Sequence, residues 1–331
     1  MMRVIFLVPA VRKPVGGVKV IYQQVAVLNQ LLPPDSQAVI LHPNTLWFKD
    51  RWFDNGSPQM RAFFKPQILH GRLSFSNIGD VFNAASDFVV IPEVWVRKYG
   101  VQLHKAGVPY AIYVQNGYFM NKGNRQDLDI AYANAKCILA ISEDVAKCVQ
   151  MAFPGTERNI LRMHCSIRSD LFTASTTKEN LITFMPRKLP DHAGKVLFFL
   201  KAHLPSTWRV QAISGLDEQK VAEVLSRSKV FISFSEFEGL GLPPLEAALS
   251  GNKVVGYTGQ GGDEYWHPDI FTAIETGNVT GLARAVLNSL NAWEATDQLP
   301  SMQSAIAVLA RTYSDNQERA DLKSFIKHML G

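Results

Sequence analysis

The sequence predicts an α/β protein of two domains, each a parallel sheet with helices on both faces, and three observations predict it. At 331 residues the chain exceeds the size at which a single hydrophobic core stops growing, so it divides. Short apolar runs alternate with segments of helical spacing, the pattern of parallel sheets with crossover helices. That alternation halts at one polar stretch, "RSDLFTASTTKEN", and then starts again.

The elements of the first half follow in order. The apolar runs "RVIFLV" (3–8), "QAVILH" (37–42), "DFVVIP" (87–92), "YAIYVQ" (110–115) and "CILAIS" (137–142) read as strands. Between the first two, Val18, Ile21, Tyr22, Val25 and Leu28 recur at helical spacing, and Pro33 and Pro34 end that helix. "SEDVAKCVQMAF" reads as another helix, with Ser142 or Glu143 as its cap. The second half resumes with strands "LITFMP" (181–186), "WRVQAI" (208–213), "KVFISFS" (229–235) and "KVVGY" (253–257), separated by helical material at 192–203 and 218–227. The expected domains are 1–168 and 181–309, joined by a linker at 169–180, with a C-terminal helix at about 310–331 returning to the first domain.

Composition bounds the class. Hydrophobic residues at 47% and charged residues at 19% describe a globular protein with material for a core, not a disordered chain. No apolar run approaches the roughly 20 residues that span a bilayer. The opening "MMRVIFLVPAVRKP" is too short in its apolar run for a secretory leader and reads as the first strand. Cys137, Cys148 and Cys165 form no C-x-x-C pair, so neither a disulfide framework nor a zinc site is indicated, and a reducing cytoplasm fits. Residues 1–175 carry 19 Lys and Arg against 12 Asp and Glu, and residues 176–331 carry 15 against 17. A basic first half can draw a domain to an acidic surface, or it can be incidental.

The stretch "SEFEGLGLPPLEAALSGNKVVG" reads as strand, loop and short helix, the prolines at the first helical turn and Gly251 at the C-cap. Its loop then lies at the carboxyl edge of a parallel sheet, where open α/β folds bind ligands. Gly239 and Gly241 let the backbone approach a ligand, and amides around Leu240 converge at a helix start, where a phosphate is at home. Glu246, expected in the helix's first turn, offers two acceptor oxygens to a pair of ribose hydroxyls. Glu238 can accept from hydroxyls beyond the phosphates. Two acids eight apart are common in any protein; the filling between them carries the information.

That filling, with "VVGYTGQGGDEYW" after it, resembles the donor-site signature of retaining GT-B glycosyltransferases, especially glycosyltransferase family 4. The elements are Glu238, the turn 239–243, Glu246, the small-residue helix 247–251, and a glycine loop from Gly259 to Glu264. The resemblance implies a GT-B fold, two Rossmann-like domains with parallel sheets facing a central cleft. The first would take the acceptor and the second a nucleoside diphosphate sugar. It implies that a basic pair after the second domain's first strand, Arg187 and Lys188, neutralises the departing diphosphate without a metal, so no metal or other cofactor is expected. Lys195 is a weaker candidate. The family's glycine loop after the first strand matches "VRKPVGGVKV", where Gly16 and Gly17 would turn amides toward the donor.

The sequence departs from the family at two strand ends. Where members often carry histidines, this chain has "IPEVW" and "VQNGYF". Glu93, Gln115 and Asn116 become the acceptor-side candidates, with Glu93 either assisting deprotonation or capping a helix. His42 is a further candidate for the cleft, or a structural histidine. "DLD" at 127–129 reads as the acidic start of a helix, not as a metal motif. No G-x-S-x-G, H-E-x-x-H or G-x-x-x-x-G-K-[ST] occurs, so hydrolase and ATPase motifs are absent.

The expected function is therefore retaining transfer of a sugar from a nucleoside diphosphate sugar to a glycan or lipid-linked hydroxyl, in surface polysaccharide or lipopolysaccharide assembly. No nucleic-acid partner is expected. A cytoplasmic setting is expected, peripheral on an anionic membrane if Arg97, Lys98, Lys105, Lys122 and Arg125 gather near the cleft. An epimerase or hydrolase of the same fold, or a non-catalytic nucleotide-sugar-binding partner of another transferase, are the alternatives.

Overall fold

The computed structural model describes residues 2–11, 16–43, 56–60, 66–69, 72–75 and 81–330. The chain divides into two compact units, Met1–Cys165 together with Glu318–Gly331, and Ser166–Gln317.

The first unit begins with β1 (Met2–Leu7), α1 (Gly16–Leu31), β2 (Ser36–Leu41) and β3 (Gln59–Met60), followed by an antiparallel pair, β4 (Pro66–Leu69) and β5 (Arg72–Phe75). It continues as β6 (Asp87–Pro92), α2 (Val96–Lys105), β7 (Tyr110–Val114), α3 (Arg125–Ala133), β8 (Cys137–Ala140), α4 (Glu143–Ala152) and β9 (Ile160–Arg162). The sheet runs β3-β2-β1-β6-β7-β8-β9 with every pair parallel. Strands β6, β7 and β8 are buried at every position, which is why they read as continuous apolar runs. Strand order reverses between β1 and β6: β2 and β3 lie on one side of β1, β6 on the other. The caps match the sequence reading, with Ser142 Oγ accepting from the Val145 amide at the start of α4.

The second unit holds β10 (Glu179–Phe184), α5 (Pro190–Lys201), β11 (Arg209–Ala212), α6 (Glu218–Arg227), β12 (Ser228–Glu238), α7 (Leu242–Leu249), β13 (Lys253–Gln260), β14 (Phe271–Ala273), α8 (Val279–Ala295) and α9 (Leu299–Thr312). Its sheet is parallel in the order β11-β10-β12-β13-β14, so the reversal lies between β10 and β12. Helix α10 (Asp315–Leu330) closes the chain, and its residues from Glu318 onward group with the first unit, where Phe325 packs edge-on against Phe88. No helix among the described residues is long and apolar enough to cross a membrane.

The stretch 169–180, expected as a linker, is packed into the second unit. Phe172 is buried, and the Ser175 amide donates to Ser226 O. Lys178 Nζ donates to the carbonyls of Ser228 and Ser250, and β10 already begins at Glu179. Polar composition is no guide here because a lysine can satisfy buried carbonyls in place of water. The units divide at Cys165–Ser166 instead of 168, and again inside α10 instead of at 310.

At the amino edge of the first sheet, Arg3 grips the buried Asp87 through Nε at 2.8 Å and Nη2 at 2.6 Å, locking β1 to β6. The Asn83 amide adds a third bond to that carboxylate at 2.8 Å. Replacing Arg3 with Met leaves a buried carboxylate without its cation and is expected to cost about 3 kcal/mol of stability. Urea unfolding followed by circular dichroism checks this; an unchanged midpoint would show that the Arg3–Asp87 pair contributes nothing to stability.

Candidate active site

At the carboxyl edge of the second sheet, β12 runs three residues beyond its expected end, with a register shift between Ser235 and Glu238. Phe237 takes a left-handed conformation at φ 51°, and so does Gln260 on the adjacent strand at φ 68°. The two are clasped, since the Phe237 amide donates to Gln260 Oε1 at 3.1 Å and Glu238 pairs with Gln260 in the ladder. Each such backbone costs of order 1–3 kcal/mol and persists only where its surroundings impose it. Gly261 passes so close to the turn that a Cβ there would stand 2.2 Å from Gly239 O. Only glycine permits that approach.

Opposite this turn, β10 ends at Phe184, and the chain reaches α5 through Arg187, Lys188 and a left-handed Leu189 (φ 43°). Lys188 Nζ lies 2.7 Å from Glu238 Oε1, with the two side chains 38% and 24% exposed. This ion pair spans the ends of β10 and β12, where the strand order reverses. Arg187 is exposed, and among the described residues it has no ion-pair partner. The two cations are unequal.

Helix α7 begins at Leu242, with Gly241 as its N-cap at φ 84°. Glu246 therefore lies just past the first turn, one residue further along than the sequence reading placed it; it is half-buried. Starting the helix at Leu242 puts Pro243 and Pro244 in its first turn, where they remove two amides that would otherwise face an anion. The amides left for that purpose are in the loop. Among the described residues, those of Gly239, Leu240 and Gly241 have no acceptor, and Gly241 is left-handed.

Glu264 accepts from Tyr313 Oη at 2.6 Å, and Tyr265 Oη donates to Gly241 O at 2.7 Å. The two tyrosine rings meet edge-on at 5.9 Å. Glu264, expected at the donor, accepts from Tyr313, whose ring packs on Tyr265, the residue that holds the carbonyl of Gly241. Gln260, Tyr265 and Tyr313 went unnoticed in the sequence; the only signal for the first two is the amide and aromatic content of "TGQGGDEYW", which means nothing until β13 is placed beside β12, and Tyr313 leaves none.

In the first unit, the loop before α1 falls at residues 12–15, outside the described residues; Gly16 and Gly17 open the helix. Gln115 Nε2 donates to Gly17 O at 3.0 Å, and a Cβ on Gly17 would stand 2.6 Å from Gln115 Oε1. Glu93 follows β6 in a 3-10 turn, 7% exposed, and accepts from the Gln115 amide at 3.3 Å. Burial pushes its carboxyl up to about 7, against hydrogen bonds from the amides of Gln115, Glu93 and Asn116 and the attraction of Lys122. Asn116 Oδ1 caps the next turn by accepting from the Tyr118 amide at 2.9 Å. Thus Gly17, Glu93, Gln115 and Asn116 meet at the carboxyl edge of β1, β6 and β7. His42 is buried between Tyr22 Oη at 2.7 Å and Val8 O at 3.0 Å, a structural histidine.

Because the folded-state pKa of Glu93 is raised, the native state holds a proton that the unfolded chain releases between about pH 4.5 and 7. Its stabilising effect is complete below the unfolded pKa and is lost as pH rises through 7. Glu93→Gln, which cannot ionise, is expected to gain up to about 3 kcal/mol on the wild type between pH 5 and pH 8. Thermal unfolding of both proteins at the two pH values measures it; parallel pH profiles would show that Glu93 ionises normally.

No protein-family model matches the chain. A 47-residue segment is 51% identical to an alpha-1,6-glucosyltransferase of Actinobacillus pleuropneumoniae serotype 7, and the match covers 14% of this chain and 14% of that relative's length. The solved structure of a glycosyltransferase from Rickettsia africae matches 99% of this chain and 98% of its own, with a TM-score of 0.75 at 15% identity. That of Anabaena HepE in complex with UDP and glucose matches 100% and 99%, with a TM-score of 0.71 at 14% identity. Matched end to end, and composed of two parallel-sheet Rossmann-like units, this chain has the GT-B fold.

Proposed function

We propose that the chain is a retaining glycosyltransferase of the family 4 type that moves a hexose, glucose being the first candidate, from its UDP donor to an acceptor hydroxyl. The observation that carries this is the turn after β12, where the amides of Gly239, Leu240 and Gly241 have no acceptor among the described residues and Glu238 meets Lys188 across the ends of β10 and β12. The UDP and glucose of the HepE structure, and the glucosyltransferase name of the short sequence relative, support the choice of donor.

In this reading the bond between the sugar's anomeric carbon and the diphosphate breaks, and its electron pair leaves with the phosphate oxygen. The acceptor oxygen bonds to the same face, and its proton passes to the departing phosphate or to a protein base. Arg187, Lys188 and the loop amides stabilise the leaving charge. Glu246 holds the ribose, and Glu238 accepts from sugar hydroxyls. Glu93, poised near 7, is the first unit's acid–base group. No cofactor is invoked. Incubation with UDP-glucose and oligosaccharide acceptors, with the product's anomeric configuration read by NMR, tests the proposal. Retention without loss of rate in EDTA is expected. Inversion, or hydrolysis and epimerisation without transfer, would overturn it. Glu246→Ala is expected to weaken UDP-glucose about tenfold by calorimetry, the loss of hydrogen bonds to a charged group.

The setting is surface polysaccharide or lipopolysaccharide assembly at the cytoplasmic face of an anionic membrane. Lys122 Nζ sits 4.7 Å over the ring of Phe119, which is 42% exposed, and Arg97 packs its stem beside Gly123, so cations and an apolar group share one surface. Arg125 contributes less, being paired with Asp129 at 2.8 Å. Each basic group near an anionic surface contributes about 1 kcal/mol, screened within a Debye length. Sedimentation with phosphatidylglycerol vesicles at low salt and release near ~0.5 M salt are expected. Equal binding to neutral vesicles would remove the membrane from this picture.

A further inference from the structure

We propose that the Lys188–Glu238 ion pair is an internal competitor for the donor diphosphate, making the site favour the sugar-bearing nucleotide over the bare nucleoside diphosphate left after transfer. This rests on the reading of the second unit as a UDP-sugar site.

The two basic residues after β10 differ in state. Arg187 is open to an incoming anion, whereas Lys188 already carries a carboxylate at 2.7 Å. A diphosphate that reaches Lys188 must displace that carboxylate, since two anions in contact with one ammonium repel each other. Glu238 cannot retreat far. Its backbone is fixed by the left-handed Phe237, by the clasp of the Phe237 amide on Gln260 Oε1, and by ladder pairing with Gln260. The displaced carboxylate therefore stays beside the phosphates and needs new hydrogen-bond donors. The hydroxyls of the transferred sugar provide them, and a bare nucleoside diphosphate has no donor beyond its phosphates, its ribose hydroxyls being held by Glu246 in the proposed reading. Breaking the ion pair is offset for the donor and not for the product, so the product leaves more readily. The exchange involves no covalent step.

Calorimetry of the full chain with UDP and with UDP-glucose, on the wild type, Glu238→Gln, Lys188→Met and the double variant, tests this. Glu238→Gln is expected to tighten UDP about threefold to tenfold while UDP-glucose binds no better, so the preference for the donor collapses. The tightening is expected to shrink when Lys188 is already Met, because no pair remains to be broken. No tightening, or tightening of equal size in both backgrounds, would overturn the proposal; the latter would mean plain repulsion without exchange. Glu238→Ala, with unfolding curves for every variant, separates a binding effect from a folding defect. If the wild type binds neither UDP nor UDP-glucose, the donor-site reading itself fails.

Discussion

Both halves of this chain depend on one topological constraint, a parallel sheet whose strand order reverses once. On either side of the reversal the crossover connections leave in opposite directions, so the carboxyl ends of the two central strands stay uncovered. In the first unit those strands are β1 and β6, and Gly17 and Glu93 follow them. In the second they are β10 and β12, and Lys188 and Glu238 meet there. The opposite edge serves stability. Arg3 and Asp87 lock the start of β1 to the start of β6, and Lys178 ties the approach to β10 into the carbonyls of Ser228 and Ser250.

The turn that carries Glu238 is held by mutual constraint. Two left-handed non-glycine residues cost a few kcal/mol together, which a regular strand end would avoid. They are maintained because Gln260 clasps Phe237, because Gly261 lets the two strand ends pass in contact, and because Tyr265 anchors the carbonyl of Gly241. Tyr313 in turn bonds Glu264 and stacks edge-on against Tyr265. A carboxylate on such a scaffold has little freedom, so whatever it pairs with must come to it.

The strands were legible because parallel strands buried on both faces have to be apolar throughout, as in "DFVVIP" and "CILA". The short edge strands β3, β9 and β14, of two or three residues each, left no periodic signal to read. The donor-side loop was legible from its glycines and prolines, but the helix start was not: two adjacent prolines fit any position in a first turn, so Glu246 was read one residue too early. Pairings between distant segments were invisible. Nothing in "PRKLP" says that its lysine meets an acid 50 residues on, and nothing in "IPEVW" says that its glutamate is buried deeply enough to hold a proton near neutrality.

On the proposed reading of the second unit, the ion pair also explains how a diphosphate site can be assembled before its ligand arrives. Adjacent Arg187 and Lys188 would repel one another in an unliganded protein. A carboxylate on Lys188 offsets that repulsion and leaves the exposed Arg187 without an ion-pair partner among the described residues. Such a stand-in suits a loop whose geometry must not relax, because reorganisation during the reaction would be subtracted from the stabilisation of the leaving charge. Its half-exposed position matters as much as its sign. A fully buried pair would be too costly to separate, and a fully exposed one would be screened into irrelevance, whereas a pair of intermediate burial is strong enough to order the loop and weak enough to yield to a diphosphate.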